Sequence, residues 1–440
     1  MNKKFEIRSL FNFLLVFCFY SLVMNVTVMA DIPSYSVPKN FRLGTMGGML
    51  TLSELENTMD SMTALFPVLV SKKVEIGKTI TNRSIYAIRI SNHPNVDQNK
   101  PKAYYDGLIH AREPMSMMSL VYFMWYVLEN YAVDPNIKAI VDNIEMHFVL
   151  CVNPDGYEYN RSTNPGGGGM WRKNRSVNSD GSHGVDIDRN FSTKWGDVIG
   201  PPPNPESDSY PGIRAFSERE SQALKDYHLA KKFTIMVNYH SYGNSIVFPS
   251  GVDTNLAEYK WIRKNLIPTS GLLMLPPLDT NYITPGSEIE WVYKTLKTFA
   301  FEIHLGSSSD GFWPTSNRIV LLAEGARDLN LVIAKTILSP IVPLQRVYKQ
   351  LASNFHTTFT NKNGQFQMDY RLSDSPKTWY LAVHDIQGKQ YKQVKLNPGG
   401  NTLSLSSSET PGPMFILQVK SCAGANCNTV YQEKVLTSGF

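Results

Sequence analysis

Residues 102–131 read KAYYDGLIHAREPMSMMSLVYFMWYVLENY, and this stretch decides the fold. Its first part, 102–109, is short, apolar and aromatic, which suits a strand buried on both faces. Pro114 then opens a run of helix length at 116–131, because proline is accommodated in the first helical turn. Working outward, 72–76, 84–90, 146–152 and 234–239 read as further strands, and 217–229 and 327–337 as helices. Strands and helices that alternate in this way predict an α/β domain with helices on both faces of its sheet.

At 440 residues, 42% apolar and 18% charged, the chain is long enough for two domains and too apolar for a disordered scaffold. A net charge of +5, without a basic stripe, predicts no nucleic-acid partner. Lys3, Lys4 and Arg8 precede an apolar run at 10–26 and the segment Val28-Met29-Ala30, so residues 1–30 read as a signal peptide cut near Asp31. Removing three cationic residues and Glu6 takes +5 to +3. The alternative, an uncleaved anchor, is interrupted by Asn12, Asn25 and Thr27, and no later run is long enough to span a bilayer. The expected product is secreted or periplasmic and monomeric. In that oxidising setting Cys422 and Cys427 can close a short disulfide loop, whereas Cys151 reads as a buried thiol.

The rhythm breaks at 159–212, a loop rich in Gly, Pro, Ser and Asn, and loops of this length are usually functional or disordered. Beyond 340 helical patterns vanish. Short alternating runs separated by turns such as Asn363-Gly364 predict a β-sandwich over 345–440.

No phosphate loop, dinucleotide fingerprint, nucleophile elbow or helical His-Glu-x-x-His motif is present. What remains is His110-Ala-Arg-Glu113 at the end of a predicted strand. An imidazole and a carboxylate so spaced can face one Zn²⁺, which in a hydrolytic site takes three N/O ligands and keeps one position open. His240, just past the strand at 234–239, is the best third candidate, because sites in open α/β sheets gather at the carboxyl ends of strands.

These residues sit within blocks that occur in a known order: GLIHARE at 107–113, NPDGY at 153–157, WRKNR at 171–175, GVDIDRN at 184–190, NYHSY at 238–242 and FAFE at 299–302. The chain resembles the zinc carboxypeptidases of the pancreatic carboxypeptidase A and bacterial carboxypeptidase T type over residues 47–340. The resemblance implies a mixed sheet covered on both faces and one Zn²⁺ per chain held by His110, Glu113 and His240. It implies that Glu302 is the general base and acid, that Arg172 stabilises the oxyanion, and that Arg189 grips the terminal carboxylate of a peptide or protein substrate. Tyr282 resembles the tyrosine that closes over the bound residue and Arg112 a contact further up the peptide. Trp171 and Tyr242 read as packing or pocket wall, and the family makes the Ser241–Tyr242 peptide cis.

One position departs from the family. Asp188 stands beside Arg189 where Asn is usual, and an ionised carboxylate there would repel a substrate carboxylate unless Arg189 or a proton neutralises it. Ile289, seven residues after Tyr282, matches the base of the specificity pocket and implies a hydrophobic or aromatic terminal residue. Its neighbours Glu288 and Glu290 would add tolerance of basic side chains. Residues 31–46 are too short for the globular pro-domain of pancreatic relatives. The expected activity is therefore removal of C-terminal residues. The rival expectations are a peptidoglycan-peptide hydrolase of the same superfamily and a catalytically inactive peptide-binding module.

Overall fold

A computed structural model of the chain describes residues 37–197, 204–252 and 284–338, the short strand Leu273–Met274 and, from residue 355 on, mainly strand backbone. The expected signal peptide at 1–30 lies outside the described residues. Of two compact units, the first, Met1–Lys39, is described only at 37–39; everything below belongs to the second, Asn40–Phe440.

In chain order the α/β part comprises α1 (Leu52–Leu65), β1 (Val74–Lys78), β2 (Ser84–Ile90), β3 (Lys102–Asp106), α2 (Pro114–Asn130), α3 (Pro135–Asn143), β4 (Glu145–Val149) and α4 (Pro154–Thr163). It continues through α5 (Arg219–Lys231), β5 (Ile235–Ser241), β6 (Ser245–Val247), β7 (Leu273–Met274), α6 (Glu288–Trp291), β8 (Phe299–Leu305) and α7 (Ser316–Leu338). The strands form one mixed sheet in the order β1-β2-β4-β3-β5-β8-β6-β7. Its centre, β4-β3-β5-β8, is parallel.

Alternate residues of these strands enter two apolar clusters. Tyr105, Phe148, Val237 and Phe301 join the residues of α2 and α7 on one face. Tyr104, Val149, Met236 and Ala300 join Leu224 of α5 and Phe191 on the other. All seven residues of β5 are buried, as expected for a parallel strand covered on both sides. Helix α2 is buried from Pro114 through Leu128, which explains its lack of a polar stripe. The β1–α5 approach requires Gly77, where a Cβ would stand 2.5 Å from that of Ala223.

Glu145 ties the sheet to the loop before β3, accepting from Arg89 Nη1 at 3.0 Å and the Gln98 amide at 2.8 Å. Burial alone would raise its pKa, but His147, the Gln98 amide and the charges of Lys102 and Arg89 bring it down from 4.5 to about 2. A depressed carboxyl stabilises the fold above its unfolded pKa, and that contribution fades as pH falls from about 4.5 towards 2. Glu145→Gln is expected to flatten the acid limb of a Tm-against-pH curve; an unchanged limb would contradict this.

Several predicted boundaries move. The strand expected at 102–109 ends at Asp106, because Leu108 takes φ of 53° and its N–H turns to the Ser116 hydroxyl at 2.9 Å. Helix α7 starts eleven residues before the expected 327, its periodicity blurred by Arg318, Glu324 and Gly325. Helix α1 was not expected, although Thr51 and Glu54 form a reciprocal capping box.

The C-terminal region is all antiparallel. Strands β9 (Phe355–Lys362), β10 (Gln365–Leu372), β11 (Thr378–His384), β12 (Gln390–Leu396), β13 (Gly399–Leu405), β14 (Met414–Ala423) and β15 (Asn426–Leu436) form sheets ordered β13-β10-β9 and β12-β11-β14-β15. Trp379, Leu381 and Val383 are buried. Cys422 faces Cys427 in the β14–β15 register, but their side chains lie outside the described residues.

Candidate metal centre

Strand β3 has β4 on one side and β5 on the other, so the chain leaving β3 turns one way to β4 and later crosses back to β5. The carboxyl ends of β3 and β5 thus flank a crevice where the strand order reverses. His110 and Glu113 stand in the turn after β3, and His240 is the penultimate residue of β5, inside the strand rather than just past it as expected. Glu113 is pinned from both sides. Its carbonyl accepts the Ser116 hydroxyl at 2.6 Å, and its Oε2 accepts the Ser241 N–H at 3.1 Å.

The three side chains form a triangle. His110 Nδ1 is 3.1 Å from His240 Nδ1 and 3.1 Å from Glu113 Oε1, and His240 Nδ1 is 3.0 Å from Glu113 Oε2. All three residues are buried. Zinc–ligand bonds of about 2.0–2.2 Å in a tetrahedron require ligand atoms roughly 3.3–3.6 Å apart, so this set fits the ion with a small expansion. Two ring nitrogens and a carboxylate converging out of water are an acceptor-rich set suited to a shared cation. Burial pulls the Glu113 carboxyl upward, yet His110 and His240 outweigh it and hold the carboxyl well below the ordinary range.

Arg172 approaches from the 159–212 loop, its Nη1 3.2 Å from His110 Nδ1 and 3.8 Å from Glu113 Oε1. Asp186 holds it through Nε at 3.1 Å and Nη2 at 2.7 Å, and its other oxygen lies 3.3 Å from His110 Nε2. One buried carboxylate thus orients both a metal-facing imidazole and the guanidinium. Burial opposes ionisation of Asp186, but Arg172 and His110 hold its carboxyl well below the usual range.

Glu302, in β8, presents its carboxylate within 4.8 Å of ligand atoms of His240 and Asp188. Its Oε2 is 3.0 Å from His304 Nε2, and the His304 ring stacks on His240 with centroids 4.8 Å apart. Burial would raise the Glu302 carboxyl; the His304 hydrogen bond and the charges of His240, His304 and Arg189 prevail and lower it, so it is ionised at neutral pH. Asp188 pairs with Arg189 at 2.8 Å.

Arg189 lies in a 3₁₀ turn, Ile187–Arg189, whose backbone is crossed by Gly286 at φ of 75°. A Cβ at Gly286 would sit 2.1 Å from the Arg189 carbonyl oxygen. Gly286→Ala is expected to cost about 1–3 kcal/mol through strain and collision, read as a fall in Tm. An unchanged Tm would contradict the close approach.

The remaining expected residues are spread around this centre. Arg112 reaches Asp208 at 2.8 Å and lies over the Phe312 ring, which also meets half-exposed Tyr242 with centroids 4.9 Å apart. The Ser241–Tyr242 peptide is cis. Ile289 is buried in the cluster that holds Phe191, Trp291 and Val292. Tyr282 lies outside the described residues. Sequence reasoning missed Asp186, His304, Asp208 and Phe312. For His304 a signal existed: two residues beyond Glu302 in a strand, it faces the same way.

The zinc carboxypeptidase family profile matches residues 55–328. The chain belongs to this family. Among zinc carboxypeptidases it is 31% identical over 288 residues to carboxypeptidase A1 of Rattus norvegicus and 30% over 291 residues to that of Homo sapiens. Each match takes in 62% of this chain and 66% of the relative, so the chain spans just under two thirds of these relatives' length. The fold is also similar to the crystal structure of thrombin activatable fibrinolysis inhibitor, with TM-score 0.59 and 23% identity over 67% of this chain and 75% of that one. Carboxypeptidase A from Helicoverpa armigera gives TM-score 0.56 and 22% identity with the same coverage. No described helix is long and apolar enough to cross a membrane.

Proposed function

We propose that the protein is an exported zinc-dependent carboxypeptidase that hydrolyses the C-terminal peptide bond of peptides or proteins. The observation that carries this reading is the convergence of His110, Glu113 and His240 to within 3.1 Å of one another, with Arg172 and Glu302 beside them. Zinc, when held by those three residues, supplies a Lewis acid and lowers the pKa of water towards neutrality.

The chain's own groups do the rest. Glu302 takes a proton from the attacking water and returns it to the departing amine. Arg172 spends Nε and Nη2 on Asp186, which aims Nη1 at the metal-facing edge, where it donates to the oxygen gaining charge. Arg189 takes the substrate's terminal carboxylate through paired hydrogen bonds and so restricts cleavage to chain ends. Buried Ile289 supports the expectation of an apolar terminal residue.

Asp188 competes for Arg189. Its Oδ1 also accepts the Glu288 N–H at 3.0 Å, a bond that Asn can keep. Asp188→Asn should therefore loosen Arg189, leaving it, among the described residues, only the Asp188 carbonyl at 2.6 Å, without disturbing the backbone, and lower KM for a C-terminally free peptide about three- to tenfold. An unchanged KM would show that Asp188 does not oppose binding.

The reading is tested with an N-blocked peptide carrying either a free or an amidated C-terminus. Release of the last residue from the free form alone, lost with chelator and restored by zinc, is expected. Equal cleavage of both forms, or of neither, would refute it.

A further inference from the structure

Alternate residues of a strand point to the same face, so His304 stands beside Glu302 on β8. His304 is also in register with His240 of β5 on one side and with Ser245 of β6 on the other. Its ring lies nearly parallel to that of His240, the planes 16° apart. Gly243 makes room for it, since a Cβ there would stand 3.2 Å from the His304 Cβ. One imidazole thus touches both a member of the metal-facing triangle and the carboxylate beside that triangle.

The contact with Glu302 is one-sided. His304 Nε2 lies 3.0 Å from Oε2, and among the described residues it is the only hydrogen-bond partner of that carboxylate. An ionised carboxylate has no hydrogen to give, so Nε2 carries the proton and donates. Oε1 is left open. A neighbouring acid works against this arrangement, because Asp188 brings an oxygen within 4.8 Å of Glu302 and carboxylates that close repel each other. The other charged groups at the centre are engaged elsewhere: Arg189 holds Asp188 at 2.8 Å, and Arg172 is tied to Asp186. Without the His304 bond the flexible Glu302 side chain would be free to turn away from Asp188 and out of line with the metal-facing edge.

We propose that His304 is a positioning residue whose Nε2–H pins Oε2 of Glu302, so that Oε1 is the oxygen that takes the proton from the attacking water. The inference rests on the carboxypeptidase reading and adds a residue to it. The proton leaving water forms an O–H bond at Oε1 and is the one that the departing nitrogen receives; His304 exchanges none. Its contribution is geometric, and a base displaced by about 1 Å can cost about 10²-fold in rate.

The test compares His304→Phe, which keeps a flat ring against His240 but cannot donate, with His304→Gln, whose amide can. With the zinc-loaded full chain and an N-blocked peptide bearing a free C-terminus, His304→Phe is expected to lower kcat about 10- to 100-fold while KM, bound zinc and Tm stay close to wild type. His304→Gln is expected to restore most of that loss. On a Glu302→Gln background His304→Phe should cost less than about threefold more, because a residue that acts through Glu302 has nothing left to act on. Two readouts need no turnover. Crystal structures should show the Glu302 carboxylate displaced in His304→Phe and in place in His304→Gln, and nitrogen NMR of the wild type should show His304 protonated at Nε2. Wild-type kcat in His304→Phe, an equal loss in both variants, or an unmoved Glu302 overturns the inference while leaving the carboxypeptidase reading intact. So does a His304 protonated at Nδ1 alone, a result for which no variant has to fold. Zinc lost from His304→Phe also overturns it, since the ring would then serve His240. A carboxylate displaced by Phe and restored by Gln, in a chain that hydrolyses no peptide, would instead remove the hydrolase reading and keep the contact.

Discussion

Glu302→Gln is expected to lower kcat by about 10²- to 10⁴-fold while KM and bound zinc stay within a few-fold of wild type. The amide keeps the shape of the side chain and can still meet His304, which approaches Glu302 Oε2 at 3.0 Å. What it loses is the ability to take a proton. Because Glu302 is not among the three side chains that form the metal-facing triangle, its replacement leaves that donor set whole. A loss confined to kcat marks a group that acts in the transition state. Near-normal kcat would remove Glu302 from the reaction, and loss of zinc would show that the triangle depends on it.

Asp186→Ala is expected to have the second large effect, and on two quantities at once. Asp186 is fully buried, and its Oδ2 accepts from both Arg172 Nε and Nη2. Removing one partner of a buried ion pair strands the other, at a cost of about 3–5 kcal/mol. The same substitution frees His110 Nε2, which lies 3.3 Å from Asp186. Outer partners that orient a metal-bound imidazole typically matter about 10- to 100-fold for affinity. A large fall in Tm together with weaker zinc binding is therefore expected from calorimetry and metal titration. Zinc affinity equal to wild type in a folded variant would mean that His110 is oriented by something else.

The sheet and the converging trio of His110, Glu113 and His240 were legible for different reasons. Central strands such as β5 are buried on both faces, so their sequence is a short apolar block that stands out without any partner in view. His110 and Glu113 are three residues apart and His240 ends a strand, so local pattern plus strand-end logic reached all three. Family motifs, not spacing, brought in Arg172, Arg189 and Glu302. Asp186 escaped because a carboxylate whose work is to hold two other side chains has no local signature; its partners lie 14 and 76 residues away in the chain. Nothing local could tell that Glu288 turns to Asp106 and Asn238 whereas Glu290 accepts from the Ser250 N–H.

The most direct measurement is the zinc content of the full chain after dialysis, for the wild type and for His240→Ala. One zinc per wild-type chain, with little or none in the variant, is the predicted result, because two residual donors hold zinc poorly against water. A wild-type chain without zinc, or a His240→Ala variant that keeps a full equivalent, would contradict the convergence of His110, Glu113 and His240 on one ion.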